Sequence, residues 1–213
     1  MELFNIRNFI FVIIVIAGFQ YWKSTQEIEV GGLFLPLNTK ILAFGDSLTY
    51  GYGVSKDLSY PSKLSELLHV EVFNEGISGE FSEQGLARLP ALLEKYKPQI
   101  LVLCHGANDI LKRNDLKPTK ENLTKMVLLA KEKGIFVLLI GVPSYDILTF
   151  NVPSLYYEVA KENNLLFEDK ILEKIFESEN LKSDLVHPNQ QGYELMAKGI
   201  AKLLSENYRS YVY

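Results

Sequence analysis

The sequence predicts an α/β fold of three layers, in which helices cover both faces of a flavodoxin-like, doubly wound, five-stranded parallel sheet. Its strand-like runs are apolar along most of their length, which is typical of parallel strands buried on both faces. Segments with apolar residues at helical spacing separate these runs. Unusual polar motifs follow three of the runs directly, and sheets of this kind bind their ligands at the carboxyl ends of the strands.

The elements alternate regularly along the chain. Five apolar runs are predicted to be strands, at residues 40–44, 70–73, 100–104, 135–140 and 165–167. Five segments are predicted to be helices, at residues 61–68, 85–96, 119–133, 153–163 and 189–205. Pro90 lies inside the second of these helices and is expected to kink it, and Gly134 is a suitable end for the third.

The composition excludes several classes of protein. The chain has 213 residues, 47% of them hydrophobic and 23% charged, as expected for one globular domain. A formal net charge of -4 gives no basic surface for nucleic acid, so no nucleic-acid partner is expected. Cys104 is the single cysteine, which excludes a disulfide within this chain and a cysteine-based zinc site.

The amino end differs from the rest of the chain. Residues 9–19 are an unbroken run of apolar residues and glycine, Arg7 precedes them, and Tyr21-Trp22-Lys23 follow. A basic start before a short apolar core fits an export signal, although the run is shorter than the ~20 residues of a usual membrane span. Aromatic residues beside a lysine suit a membrane interface.

We therefore interpret residues 1–23 as a signal peptide or an uncleaved membrane anchor, and residues 24–38 as a connector. The anchor is favoured because no Ala-x-Ala sequence follows the run; the alternative is a buried core helix. Residues 3–22 would associate with the membrane, and the domain at 39–213 would lie in the cell envelope or be secreted, since the positive end stays inside.

Ser47 is the first candidate for chemistry. It follows Gly45 and Asp46 in the turn after the first predicted strand. A serine hydroxyl becomes a useful nucleophile when a neighbouring base accepts its proton. The alternative is a serine that only caps a helix, with Asp46 supporting the turn.

Asp184 and His187 are three residues apart, just before the last predicted helix. A tight turn of this spacing can bring the carboxylate to the imidazole, where it would hold the tautomer and stabilise the imidazolium ion. The alternative is a surface turn and a helix-entry residue. His105 also lies near a strand end, but it lacks an aspartate three residues earlier and is expected at most to support the site.

Asn108 follows the third predicted strand and offers an amide to a developing oxyanion, where one donor is worth ~10²–10³ in rate. The N–H group of Gly76 could approach the same oxygen, because glycine has no side chain. The alternative is ordinary turn chemistry, since loops are rich in asparagine and glycine.

Taken together and in order, these motifs resemble the SGNH (GDSL-type) hydrolase family over roughly residues 40–204. The four matching blocks are Gly45-Asp46-Ser47-Leu48, Asn74-Glu75-Gly76-Ile77-Ser78-Gly79, Gly106-Ala107-Asn108-Asp109 and the segment from Asp184 to His187. The resemblance implies Ser47 as nucleophile, His187 as base and Asp184 as its partner. It also implies an oxyanion hole made by the N–H groups of Ser47 and Gly76 with the Asn108 side chain, and it implies no metal or cofactor.

Residues 85–93 resemble the branch that contains bacterial arylesterases, acyl-CoA thioesterases and lysophospholipases. Three pairs of residues depart from that branch: Glu80-Phe81 after the second block, Cys104-His105 before the third, and Leu185-Val186 before the histidine. None is in the expected triad. The first two pairs are expected to change the choice of substrate relative to that branch.

The expected activity is hydrolysis of a carboxylic ester or thioester with an acyl chain, through an acyl-enzyme, by a monomer. The loop at 142–153 is long and apolar and is expected to line an acyl pocket. The residues expected to contact the acyl-ester or lipid-derived substrate are Asp46, Ile110, Tyr145, Ile147, Leu148 and Phe150. A carbohydrate O-acetylesterase and a non-catalytic flavodoxin-like binding module are the alternatives.

Overall fold

The structure is a computed structural model that describes residues 35–36, 38–112, 115–146 and 149–212. The expected leader at 1–23 and most of the connector at 24–38 lie outside these ranges, as do Ile147 and Leu148. Among the helices in the described ranges, none combines the length and the apolar character needed to cross a membrane.

Strands and helices alternate as expected. The strands are β1 (Lys40–Gly45), β2 (Glu71–Gly76), β3 (Ile100–Cys104), β4 (Phe136–Ile140), β5 (Ser144–Asp146), β6 (Thr149–Asn151) and β7 (Leu166–Glu168). The helices are α1 (Ser47–Tyr50), α2 (Tyr60–Leu68), α3 (Ser82–Tyr96), α4 (Ala107–Lys112), α5 (Lys117–Glu132), α6 (Ser154–Asn163), α7 (Ile171–Glu177) and α8 (Gln190–Val212). Two short 3₁₀ helices lie at Lys56–Leu58 and Glu179–Leu181.

Five strands form one sheet in the order β2-β1-β3-β4-β7, and every neighbouring pair is parallel. This is the flavodoxin-like strand order, and it confirms the predicted fold class. Helix α2 packs against α8, while α3 packs against α5 and α5 against α6. These two groups of helices form the outer layers.

The central strands are apolar because both of their faces are covered. Every residue from Ile41 to Phe44 and from Ile100 to Cys104 is fully buried. In the register of the sheet, Gly45 pairs with Gly76 on one side and with Cys104 on the other. The carboxyl ends of β1, β2 and β3 are therefore level, and the polar motifs that follow them lie side by side.

Several elements differ from the sequence expectation. Helix α3 begins three residues early, at Ser82, and continues across Pro90 to Tyr96. Helices α1, α4 and α7 were not predicted. The expected long loop at 142–153 contains an antiparallel pair, β5 with β6, in place of an irregular segment.

Candidate active site

Asp46 lies beneath the turn that presents Ser47. Its carboxylate accepts the N–H of Leu48 at 3.2 Å and the N–H of Ala107 at 3.1 Å, and so joins the start of α1 to the start of α4. The side chain is fully buried, and this burial raises the pKa of Asp46. Such a position favours a structural role over the expected contact with substrate.

Ser47, His187 and Asp184 form one hydrogen-bonded chain. His187 Nε2 lies 3.0 Å from Ser47 Oγ, and His187 Nδ1 lies 2.8 Å from Asp184 Oδ2. A carboxylate only accepts hydrogen bonds, so Nδ1 carries the proton and Nε2 accepts from the serine hydroxyl. The arrangement can therefore remove the proton from Ser47 and stabilise the imidazolium that forms.

The main chain holds the Asp184 carboxylate in this orientation. Asp184 Oδ1 accepts the N–H of Val186 at 3.0 Å and the N–H of His187 at 2.9 Å. Partial burial acts to raise the pKa of Asp184, but these two bonds and the bond from the His187 ring outweigh it and lower the pKa below its usual value. Asp184 thus stays ionised beside the imidazole.

Tyr52 contacts His187 but was not singled out from the sequence. Its ring centroid lies 4.4 Å from that of the imidazole, at an interplanar angle of 36°. Its main-chain oxygen accepts a hydrogen bond from the Tyr193 hydroxyl at 3.1 Å. The aromatic residues that alternate with glycine after Ser47 were the only signal in the sequence for this contact.

Asn108 lies in the first turn of α4. Its Nδ2 atom donates to the main-chain oxygen of Glu80 at 3.0 Å. A primary amide has two N–H bonds in one plane. This contact uses one of them and fixes the amide plane, and with it the direction of the second N–H bond. The side chain lines the same cavity as Ser47 and His187.

The geometry does not support the expected role of Gly76. Its N–H donates to Asn74 Oδ1 at 3.0 Å, and a Cβ atom there would come within 2.1 Å of the Tyr50 nitrogen. The absence of a side chain at Gly76 therefore lets α1 pack closely against the end of β2. Gly79 differs: its φ is +81°, its Cβ position is open, and no acceptor in the described part of the chain is bonded to its N–H.

Comparisons with known proteins show the family to which the chain belongs. Residues 43–195 match the model of the GDSL-like lipase/acylhydrolase family. The chain belongs to this family. It is 31% identical over 175 residues to an arylesterase of Vibrio mimicus, a match that covers 78% of this chain and 88% of that protein. It is 30% identical over 171 residues to thioesterase 1/protease 1/lysophospholipase L1 of Escherichia coli K12, over 77% of this chain and 82% of that protein.

A solved structure shows the same fold. The psychrotrophic esterase EstA from Pseudoalteromonas sp. superposes with a TM-score of 0.71 at 24% sequence identity, over 81% of this chain and all of that one. The resemblance to SGNH hydrolases drawn from the four motifs is confirmed, and the protein is a hydrolytic esterase of the GDSL family.

Beside Ser47, the GDSL esterase has a cavity of about 70 Å³. Its lining residues are Ser47, Leu48, Ala107, Asn108, Ile110, Leu111, Val142, Pro143, Tyr145, Phe176, Val186 and His187. Ile110 and Tyr145 thus line the cavity, and their contact with the substrate stays a prediction. Phe150 does not line the cavity but packs behind it, with its ring 5.4 Å from that of Phe176. Phe176 was not singled out from the sequence.

Other features of the esterase lie away from this chemistry. A groove of about 710 Å³ between α5 and α6 contains none of the residues around Ser47. Within the described ranges, no group of three or more His, Cys, Asp and Glu side chains is arranged to hold a metal ion. Cys104 is fully buried, and burial raises the pKa of its thiol well above the usual value.

Proposed function

We propose that this GDSL esterase hydrolyses its substrate through an acyl-enzyme on Ser47. Ser47 Oγ attacks the carbonyl carbon of the ester or thioester as His187 Nε2 takes the hydroxyl proton. His187 then protonates the leaving alcohol or thiol, and the bond from the carbonyl carbon to that group breaks. Water, deprotonated by His187, hydrolyses the acyl-enzyme and restores Ser47. The 3.0 Å contact between Ser47 Oγ and His187 Nε2 is the observation that carries this proposal.

The oxyanion of the tetrahedral intermediate would be held by the N–H groups of Ser47 and Gly79 and by the second N–H of the Asn108 amide. Gly79 replaces the expected Gly76 in this proposal because the Gly76 N–H already donates to Asn74. Gly79 also directly precedes Glu80, whose main-chain oxygen orients Asn108. Donors fixed in advance around a developing charge are a large source of catalytic rate.

We infer that the preferred acyl group is short, from acetyl to about butyryl. The cavity beside Ser47 measures about 70 Å³, less than half the ~150 Å³ of an apolar protein cavity that binds benzene. Phe176 and Val142 are buried residues that help to close it. A longer acyl chain would have to lie along the exposed residues outside the cavity.

The same small cavity favours a carbohydrate O-acetylesterase as a second candidate. Tyr52 and Tyr145 are 46% and 52% exposed beside the site, and exposed aromatic rings can stack on the face of a sugar. Acetate release from an acetylated xylo-oligosaccharide would favour this candidate. Faster hydrolysis of simple aryl or thiol esters of the same acyl group would favour the general esterase.

The proposed chemistry is tested by the hydrolysis of p-nitrophenyl esters from acetyl to palmitoyl. The full chain should be most active on acetyl to butyryl esters, and Ser47→Ala should lose this activity while Ser62→Ala, a change on helix α2, retains it. Activity that survives in Ser47→Ala would remove the proposed nucleophile. A maximum at long chains would instead support lipid-derived substrates.

We further propose that residues 39–213 form the hydrolase domain and that the apolar segment before it directs this domain to the cell envelope. The basis is the run at 9–19, with Arg7 before it and Trp22 after it. Cell fractionation with carbonate extraction tests this: an anchored chain stays with the membranes, a secreted one is released, and a cytoplasmic one contradicts the proposal. The expectation of a monomer stays a prediction, which sedimentation velocity would test.

A further inference from the structure

Glu80, Arg88 and His105 form a buried cluster next to the proposed oxyanion donors, called here the Glu80 cluster. Glu80 is only 6% exposed, although it carries a carboxylate. Arg88 Nε donates to its Oε1 atom and Arg88 Nη2 to its Oε2 atom, both at 2.7 Å. His105 Nε2 lies 3.1 Å from Oε2. The carboxylate is thus held by a two-pronged guanidinium and by an imidazole.

The hydrogen bonds of His105 fix its tautomer. Its Nδ1 atom accepts the N–H of Gly106 at 2.9 Å, so Nε2 carries the proton and donates to Glu80. The imidazole is fully buried. Gly85 of α3 makes room for it, because a Cβ atom at that position would come within 2.3 Å of His105 Nε2. The imidazole is therefore packed tightly between α3 and the end of β3.

Arg88 connects this carboxylate to the other motifs. Its Nη2 atom also donates to the main-chain oxygen of Glu75 at 2.8 Å and approaches that of Gly45 at 3.4 Å. Its guanidinium lies 4.2 Å from the centroid of the Phe44 ring. One arginine thus touches the carboxyl ends of β1 and β2 as well as Glu80.

Glu80 has three contacts that together define where Asn108 points. Its side chain is held by Arg88 and His105. Its main-chain N–H donates to the main-chain oxygen of Ile77 at 3.2 Å, in the turn that contains Gly79. Its main-chain oxygen accepts the Asn108 amide at 3.0 Å. Glu80 and His105 also belong to the two pairs that depart from the family pattern around the second and third motifs, and in the fold they contact each other.

We propose that His105 is a positioning residue for the esterase reaction. It holds the Glu80 carboxylate, and with it the Glu80 main-chain oxygen, so that the free N–H of the Asn108 amide stays aimed at the oxyanion. This proposal rests on the proposed function, because it acts through the oxyanion role given to Asn108. His105 itself touches no reacting atom.

His105→Leu tests the proposal, since leucine fills similar space without donating to Glu80. We expect kcat for p-nitrophenyl acetate to fall about 10-fold with KM nearly unchanged, less than the ~10²–10³ lost when a donor is removed outright. His105→Gln should recover most of this loss, because its amide can donate to Glu80. A wild-type kcat in His105→Leu, or equal losses in the leucine and glutamine variants, would overturn the proposal.

The decisive readout is coupling to Asn108 in a double-mutant cycle. If His105 acts through Asn108, adding His105→Leu to Asn108→Ala should lower kcat less than about 2-fold further. A full additional 10-fold loss would mean that His105 acts by another route. Arg88→Lys keeps the positive charge but loses the bidentate contact with Glu80, and it should show the same coupling to Asn108. This variant replaces His105→Leu in the cycle if His105→Leu does not fold.

Controls separate this proposal from the proposed function. Lys120→Met, which breaks surface ion pairs with Glu158 and Glu162, should leave kcat unchanged. If Asn108→Ala loses activity but His105→Leu does not, only the positioning proposal fails. If Asn108→Ala keeps wild-type activity, the oxyanion assignment fails and the positioning proposal fails with it.

Discussion

His187 Nε2 lies 3.0 Å from Ser47 Oγ, although 140 residues separate the two in the chain. Two distant turns produce this contact. Asp46 fixes the first by bonding to the main chain of both α1 and α4. Asp184 fixes the second by accepting the N–H groups of Val186 and His187 as well as the imidazole. The serine and its base are therefore aligned by two turns that the main chain holds in place.

Asp184→Asn should reduce kcat/KM strongly while leaving the fold intact. An amide at this position can donate to His187 Nδ1, which puts the ring proton on Nε2 and leaves no acceptor for the serine hydroxyl. A loss of about 10⁴ is expected by analogy with other catalytic triads. Steady-state kinetics on p-nitrophenyl acetate measures it, with Asp169→Asn as a control that should behave as wild type. A loss below 10-fold would contradict the role of Asp184.

Gly79→Ala and Gly134→Ala form a matched pair. Both glycines have positive φ, +81° and +69°, and at neither would a Cβ atom meet another atom within 4 Å. Each substitution should therefore cost a similar 1–2 kcal/mol or so of backbone strain. Only Gly79→Ala should also lower kcat, by about 10-fold, because it shifts a proposed oxyanion donor. Equal kcat values in the two variants would argue against Gly79.

Phe176→Leu should shift the chain-length preference towards longer acyl groups. Phe176 lines the cavity and is 2% exposed, so the smaller side chain extends the space beside Ser47. The kcat/KM ratio of hexanoyl to acetyl esters should rise about 10-fold, since each newly buried methylene contributes about 0.8 kcal/mol. Leu172→Ala is the control, because Leu172 is buried on the same helix but does not line the cavity. The same shift in both variants would point to general loosening instead.

Glu80 should make stability depend on pH in a defined direction. Burial acts to raise its pKa, but hydrogen bonds from His105 and Arg88 outweigh it and hold the pKa below the ordinary 4.5. A carboxyl group whose pKa is lower in the folded than in the unfolded protein stabilises the fold. This stabilisation is complete above the pKa of the unfolded state and is lost as the pH falls through the pKa of the folded state. The difference in unfolding free energy between wild type and Glu80→Gln should therefore be level near neutral pH and shrink below about pH 4.5. Urea unfolding measures this, and a constant difference down to pH 3 would contradict it.

Strands β1, β3 and β4 were predictable because each contains a short, wholly apolar run, whereas the edge strands β2 and β7 are partly exposed and contain Glu71 and Glu168. Burial on both faces leaves no polar residue in Ile41–Phe44 or Ile100–Cys104, so the sequence shows each strand directly. Helices α1, α4 and α7 have four, six and seven residues, too few for a periodic pattern to be recognised. The residues 144–151 read as a loop because each strand of their hairpin has only three residues.

The hydroxyl, imidazole and carboxylate were predictable as a group because their motifs lie after strands or in a tight turn. The main-chain N–H groups of the proposed oxyanion hole were not predictable from the sequence. Gly76 and Gly79 occur in one motif, and only the structure distinguishes them: the N–H of Gly76 donates to Asn74 and Gly76 is crowded by Tyr50, whereas Gly79 has a positive φ and an open Cβ position. The Glu80 cluster was hidden for a similar reason, since its members are separated by 8 and 25 residues and meet through the register of the sheet. The joint departure at Glu80 and His105 was its only trace in the sequence.

Covalent labelling with a fluorophosphonate tests the central assignment most directly, because it requires no knowledge of the natural substrate. The full chain should gain one adduct, located by peptide mass spectrometry on Ser47. Labelling should be absent in Ser47→Ala, much slower in His187→Ala and unchanged in Ser62→Ala. An adduct on another residue, or equal labelling of Ser47→Ala, would contradict Ser47 as the nucleophile.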